Sequence, residues 1–188
     1  MDAYDAIARR VSTRAFQDRP VPRDAIERLL EAAVRAPNHK LTEPWRFVVL
    51  TGAGRDRLAE RRRAHRASRF PDPAAPDAAK AVEKTWREAR DTPAFVAVLC
   101  AQSEDTVRRE EDVASAWMAV QNLLTAATAE GLGTYVRTGG ILADPGVEAL
   151  VQLPAGHRVI ALVSLGYPAG DDAPRRRIPA TQKTLWLD

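Results

Sequence analysis

Between Glu111 and Glu130, the residues Val113, Ala116, Trp117, Val120, Leu123, Leu124 and Ala127 recur at spacings of three and four until Gly131 interrupts them. That is one apolar stripe along about five turns of helix, ended by the residue type that most readily closes one. A stripe of this length has to be covered, so the rest of the chain is organised around a central helix. Its alanines let another backbone approach closely. The covering surface is therefore either the chain's own sheet or the same helix of a second subunit.

Around this helix, short β-type runs alternate with amphipathic segments. Trp45 to Leu50, Phe95 to Cys100, Thr134 to Arg137 and Arg158 to Leu165 are rich in aromatic, β-branched and aliphatic residues and read as strands. Helices are expected over Ala3 to Arg9, over a segment carrying Ile26, Leu29, Leu30, Ala33 and Val34 that stops before Pro37, over residues 55–69 and 77–90, and from Asp144 to Val151. Strands separated by helices predict an α/β or α+β chain with a small mixed central sheet flanked by helices. At 188 residues and 45% hydrophobic content, one domain spanning 1–188 suffices, with a C-terminal extension from about 168 to 188. That extension carries a triple arginine and ends in Leu185-Trp186-Leu187, an apolar tip that needs a surface on this subunit or a partner.

Several chemistries are disfavoured. No G-x-G-x-x-G turn follows a strand and no G-x-x-x-x-G-K-[ST] occurs, so the dinucleotide and P-loop signatures are missing. Cys100, the single cysteine, lies inside an apolar run and reads as a core residue. His39, His65 and His157 are scattered without metal-ligand spacing, so no metal is expected. Phe95 to Ala101 and Val159 to Leu165 are too short to span a bilayer, and Met1 to Arg10 lacks the core of a signal peptide, which leads us to expect a cytoplasmic protein without a membrane partner. The net charge of +3 rests on arginine and favours a phosphate-bearing partner, either a nucleotide cofactor or a nucleic acid.

Four blocks carry polar groups that could build a site. Arg9-Arg10-Val11-Ser12-Thr13-Arg14 places guanidinium and hydroxyl donors on a turn, where they converge on a phosphate or merely end a helix with Ser12 or Thr13 as cap. Pro37 to Trp45 is a polar loop pinned by two prolines beside a strand, where sites are often built; His39 alone could serve only to hold the loop. Gly131 to Gly140 pairs glycines around Thr134-Tyr135-Val136-Arg137-Thr138, letting backbone approach a flat ligand. Leu165-Gly166-Tyr167-Pro168 ends a strand and is followed by Arg175-Arg176-Arg177.

Taken in order, R-R-x-S-x-R, A-P-x-H-x(4)-P-W-x-F, G-x-G-x(3)-R-[ST]-G and L-G-Y-P resemble the nitroreductase family, most of all its short bacterial branch with a P-[ND]-H loop. The resemblance implies an α+β fold with a mixed central sheet, an intertwined homodimer, and FMN at the subunit interface. It implies that Arg10 and Ser12 hold the phosphate and ribityl end, that Arg14 reaches the pyrimidine edge and tunes N5 chemistry without a dedicated catalytic residue, and that Arg175 and Arg177 close on the phosphate. Asn38 and His39, with Glu43 nearby, would meet the flavin from the other subunit, and Val136, Arg137, Thr138 and Gly139 would lie along the ring. The implied activity passes electrons from NADH or NADPH to an electron-poor acceptor such as a nitroaromatic or quinone, with no nucleic-acid partner. Leu41 and Glu43 depart from the pattern, standing where relatives often carry asparagine and glutamine; a carboxylate at 43 cannot donate as an amide does.

Three other readings share parts of these observations. A flavoprotein of the same fold could reduce enones, dehalogenate or only carry FMN. A basic nucleic-acid-binding protein would use the seven arginines of residues 55–69, but it leaves the glycine block and the P-N-H-K loop unexplained.

Overall fold

Asp105 starts the long helix, its carboxylate accepting the backbone N–H groups of Val107 and Arg108 at 2.9 and 3.2 Å. In the computed structural model, which describes residues 1–171, 173 and 176–187, this helix runs Thr106–Ala129 and is named α5 below. It begins five residues before the apolar stripe, because its first turn is polar and only the cap marks it. It ends in a double hydrogen bond: Leu132 N–H donates to the Ala127 carbonyl (2.8 Å) and Gly131 N–H to that of Thr128 (3.1 Å). Gly131 takes φ +75° to make this closure, a conformation that glycine adopts at no steric cost.

In chain order the elements are α1 (Ala3–Arg9), α2 (Arg23–Ala33), β1 (Trp45–Leu50), α3 (Gly52–Ala67), α4 (Pro76–Arg90), β2 (Ala94–Ala101), then α5, β3 (Gly133–Arg137), α6 (Pro145–Leu150) and β4 (His157–Gly166). The sheet order is β1-β2-β4-β3, and every pairing between these strands is antiparallel. The mixed sheet expected from the sequence is thus antiparallel across its four strands within the chain. Among the described residues the one parallel contact is the isolated bridge between Ser12 and Thr134. In chain order β2 and β3 run in the same direction, with α5 crossing back between them, while β1 and β4 run the other way.

β2 is buried on both faces, which is why it reads as an unbroken apolar run. Ala94, Val96, Val98 and Cys100 point to one side, packing with Ile26 and Leu29 of α2 and Val120 and Leu123 of α5. Phe95, Ala97 and Leu99 point to the other, against Leu58 of α3, Ala89 of α4 and Val147 of α6. The sheet is thereby sandwiched between two helical layers. The stripe of α5 belongs to the chain's own core, with Ala116, Ala119, Leu123 and Ala127 fully buried. Trp117 was expected on that stripe but lies on the outer side with Met118, 37% and 40% exposed. Burial pushes the Cys100 thiol up to about 11, as befits a core residue with no nucleophilic use. Among the described residues no helix is long and apolar enough to cross a membrane.

Candidate functional site

Past α1 the chain becomes extended and docks on the edge of the sheet. Thr13 N–H donates to the Thr134 carbonyl at 2.8 Å, beside the Ser12–Thr134 bridge. Extended backbone alternates its side chains, so Thr13 turns inward, 2% exposed, while Ser12 and Arg14 turn outward and Arg10 is half-buried at the helix end. Residues 10, 12 and 14 thus share one face over about 13 Å. The close docking requires a glycine: a Cβ at Gly133 would lie 2.6 Å from Thr13 Oγ1 and 2.8 Å from its Cβ.

The L-G-Y-P block is the other wall of this dock. Gln17 N–H donates to the Tyr167 carbonyl (2.9 Å), Ala169 N–H to that of Ala15 (3.0 Å), and Gln17 Nε2 to that of Pro168 (2.7 Å). A Cβ at Gly166 would lie 2.8 Å from Pro93 and 2.9 Å from Phe16. The block therefore shapes the segment that carries Arg10, Ser12 and Arg14.

On β3, Val136 turns into the α5 side of the core. Tyr135 is flanked by two guanidinium groups, with Arg14 Cζ 5.5 Å and Arg137 Cζ 4.8 Å from its ring centre. Arg137 donates from Nε to Ser164 Oγ (3.1 Å) and lies 3.6 Å from Glu88. Burial and the charge of Arg14 hold Arg137 below its usual value, opposed by Glu88 and Tyr135. A cleft of about 550 Å³ opens beside Arg14, with Phe16, Lys80, Lys84, Glu88 and Asp91 among its walls. Thr138 and Gly139 are exposed, and Gly139 sits at φ +98°, a turn that favours glycine.

The next turn is fixed from α3. Asp144 caps α6 by accepting the N–H groups of Gly146 and Val147, and it binds Arg61 at 2.7 Å, with His65 Nδ1 3.4 Å away. Burial raises the Asp144 carboxyl, but the Arg61 and backbone hydrogen bonds outweigh it and hold the group below its ordinary 3.8. A carboxyl depressed by folding stabilises the protein above its unfolded value and loses that contribution as pH falls through the folded one. Because asparagine caps a helix as well as aspartate, Asp144→Asn is expected to cost about 1 kcal/mol at neutral pH through the lost charge toward Arg61, with the gap to wild type narrowing below about pH 4 in urea titrations. A gap that stayed constant down to pH 2 would count against the charge being responsible.

The P-N-H-K loop is built by its own side chains. Asn38 Oδ1 accepts the Glu43 N–H (3.0 Å), Thr42 donates to Asp112 (2.6 Å), and His39 Nδ1 lies 2.8 Å from Glu111. These contacts hold Lys40, Leu41 and Glu43 at φ of 56°, 51° and 43°, left-handed values unusual for residues with side chains. The Glu43 side chain is exposed. The loop leads into Trp45, which aligns with Cys100 and, through β2, with Arg158, whereas Gly133 and Gly166 lie at the opposite end of the strands. Within one chain the loop and the arginine segment are therefore separated by the length of β2, about 23 Å. Three of the four blocks come together and the second does not. Arg177 is exposed on the tail, and Arg175 lies outside the described residues.

The sequence matches the nitroreductase family over residues 7–167, a span that holds the arginine segment, the P-N-H-K loop and the glycine block entire. The chain belongs to the nitroreductase family. It is 32% identical over 182 residues to YfhC of Bacillus subtilis (strain 168), provisionally named an NAD(P)H nitroreductase, covering 93% of this chain and 89% of that one. A nitroreductase-like protein of Bacillus cereus has a similar crystal structure, at TM-score 0.86 and 28% identity over 100% of this chain and 97% of that one. So does a Desulfovibrio desulfuricans protein, provisionally called a nitroreductase and solved in complex with FMN, at TM-score 0.75 and 26% identity over 100% and 98% of the two chains. Sequence reasoning missed one buried charge near Arg137. Arg62 of α3 reads as one more member of a solvated basic helix, yet it is 8% exposed. Its signal was the spacing: it stands four residues after buried Leu58, on the inward face of α3.

Proposed function

We propose that this chain is an FMN-dependent oxidoreductase that works as a homodimer, oxidising NADH or NADPH and reducing an electron-poor acceptor such as a nitroaromatic or quinone. The observation that carries this reading is the single face shared by Arg10, Ser12 and Arg14, laid against β3 through the gap at Gly133. An anion-binding end, a hydroxyl and a second guanidinium spread over about 13 Å suit a ligand with a phosphate, a polyol and a hydrogen-bonding ring edge. Gly139 leaves space for a flat ring, since a Cβ there meets nothing within 4 Å. The residues present fit FMN.

When bound, FMN supplies the redox chemistry, accepting hydride from the nicotinamide and passing the electrons to the acceptor. In this reading Arg10 and Ser12 hold the phosphate and ribityl end, and Arg177, with Arg175, closes on the phosphate. Arg14 donates to the pyrimidine edge, favouring the negative charge that reduction places there. Val136, Arg137, Thr138 and Gly139 border the ring. Asn38, His39 and Glu43 come from the partner subunit, which accounts for a loop held in a strained shape about 23 Å from its own chain's arginine segment.

Dimer formation is supported by the apolar surface left open on one chain. Leu185, Trp186 and Leu187 are 80%, 81% and 87% exposed, and Tyr4, Ile7, Trp117 and Met118 add to them. A groove of about 1050 Å³ runs beside β1, an edge strand with Val49 exposed, and has room for such a tail. A nucleic-acid role is disfavoured by α3 itself. Five of its six arginines are engaged or buried: Arg55 with Asp56, Arg61 with Asp144, Arg63 over Trp86, Arg66 over Phe70, and Arg62 inside. A cytoplasmic location accords with a nicotinamide-dependent enzyme.

The test is the absorbance spectrum of the purified protein, before and after anaerobic NADH or NADPH. Flavin bands that bleach are expected, and Arg14→Ala should weaken FMN retention or slow the bleaching. A wild-type protein with no flavin bands after incubation with FMN would overturn the reading.

A further inference from the structure

Arg62 has no evident structural purpose that a methionine would not serve. It is 8% exposed, so it neither solubilises the surface nor meets a large ligand, and its Nη1 is buried with no hydrogen-bond partner. Buried guanidinium groups are expected to be fully hydrogen-bonded, and an exception calls for a functional explanation. Its surroundings make the exception sharper. Arg62 lies near Arg137, the two share Glu88 as their nearby carboxylate, and Arg137 in turn flanks Tyr135 opposite Arg14. Burial above all, and then the charge of Arg137, push Arg62 down to about 10, so the group stays charged at neutral pH. Among the described residues, Arg14, Arg62 and Arg137 gather on the α3–α4 side of β3 with Glu88 between them, and the adjoining cleft adds Lys80, Lys84 and Arg87 against Glu83 and Asp91, so positive charge is in excess there.

We propose that Arg62 is a positioning residue that acts through Arg137 to raise the reduction potential of the flavin, with Glu88 as the opposing charge that limits the effect. This rests on the reading that FMN lies along β3 with its pyrimidine edge at Arg14. Reduction adds negative charge at that edge. A fixed, buried and unscreened excess of positive charge stabilises the reduced form over the oxidised one without touching it. A purely structural role would make Arg62 a spacer between α3 and β3, and its loss would lower stability while leaving the preference between the two redox forms alone.

The experiment is a potentiometric titration of the FMN-loaded dimer against a reference dye, on wild type, Arg62→Met and Glu88→Gln. Arg62→Met is expected to lower the ratio of reduced to oxidised FMN affinity about tenfold, a potential about 30 mV more negative for a two-electron couple. Glu88→Gln is expected to raise that ratio about tenfold, shifting the potential about 30 mV the other way. Shifts of opposite sign are what charge produces and what disrupted packing does not. Unchanged potentials, or shifts of the same sign, overturn the proposal. If Arg62→Met fails to fold, Arg62→Gln takes its place with the same expected shift, and a zero or positive shift there is equally fatal. A wild-type protein that takes up no FMN would instead defeat the functional reading on which the proposal stands.

Discussion

A chain ended after Gly170 is expected to remain folded, to run as a monomer and to retain no FMN. Its core loses nothing, because every described residue from 171 onward is exposed and none belongs to either apolar cluster. The contacts that fix the arginine segment also survive, since Tyr167, Pro168 and Ala169 lie before the cut. What is lost is the tip. Leu185, Trp186 and Leu187 are each worth about 1.5–3 kcal/mol when buried, and a symmetric dimer buries them twice. Association itself costs about 4–15 kcal/mol, so removing six such side chains should leave no dimer at micromolar concentration. The P-N-H-K loop then has no second chain to serve. Light scattering with in-line absorbance at the flavin band measures both consequences at once. A truncated protein that still elutes as a yellow dimer would show that the subunits are held by Trp117, Met118 and the α1 surface instead.

Gly133→Ala should be the most damaging single-methyl substitution in the site. The new Cβ would lie within 2.8 Å of Thr13 Oγ1, Cβ and Cγ2 together. Rotation of Thr13 moves the hydroxyl and methyl but leaves its Cβ in place, so relief requires moving backbone. Such overpacking costs about 1–3 kcal/mol, which for a chain of this size lowers Tm by about 2–4 °C per kcal/mol. The segment carrying Arg10, Ser12 and Arg14 is what moves, so FMN affinity should fall as well, by about tenfold or more if the loss approaches 1.4 kcal/mol. Thr13→Gly in the same chain removes the obstruction and should restore much of both. A single variant with wild-type Tm and wild-type FMN affinity would mean that the dock is looser than its geometry suggests.

Much of the fold was legible because its strongest signals are local. Gly131 and the stripe of α5 mark the body and end of one helix, and Pro22, Pro37 and Pro76 bracket others, whereas the start of α5 at its Asp105 cap was missed because no apolar residue of the stripe stands beside it. The strand β2 was legible from its unbroken apolar run. Direction was not: the sequence predicts a mixed sheet and the four strands are antiparallel, since periodicity tells which residues share a face and nothing about how strands are ordered. The site divides the same way. Arg10, Ser12 and Arg14 stand out as clustered donors; the sequence puts them on a turn, and the folded chain lays them out as an extended segment docked on Thr134. Asn38 reads as a contact residue, and its side chain has in addition a role in holding the loop, set by the Glu43 N–H that only the folded loop brings near. Arg62 escaped notice because a charge run conceals the one member that faces inward.

Every pair of neighbouring strands in the sheet is joined through helix, and none forms a hairpin. β1 meets β2 across α3 and α4, and β2 meets β4 across α5, β3 and α6, so each strand must close a long loop before it gains a partner. Helices form early and cheaply, while pairings this remote are slow. During the interval the runs 95–100 and 159–165, uncharged and free of proline, are open to the same runs on neighbouring chains. Yield of this protein should therefore be governed by the speed of synthesis and by crowding with its own nascent copies. Cool, slow expression favours the native sheet over the intermolecular one.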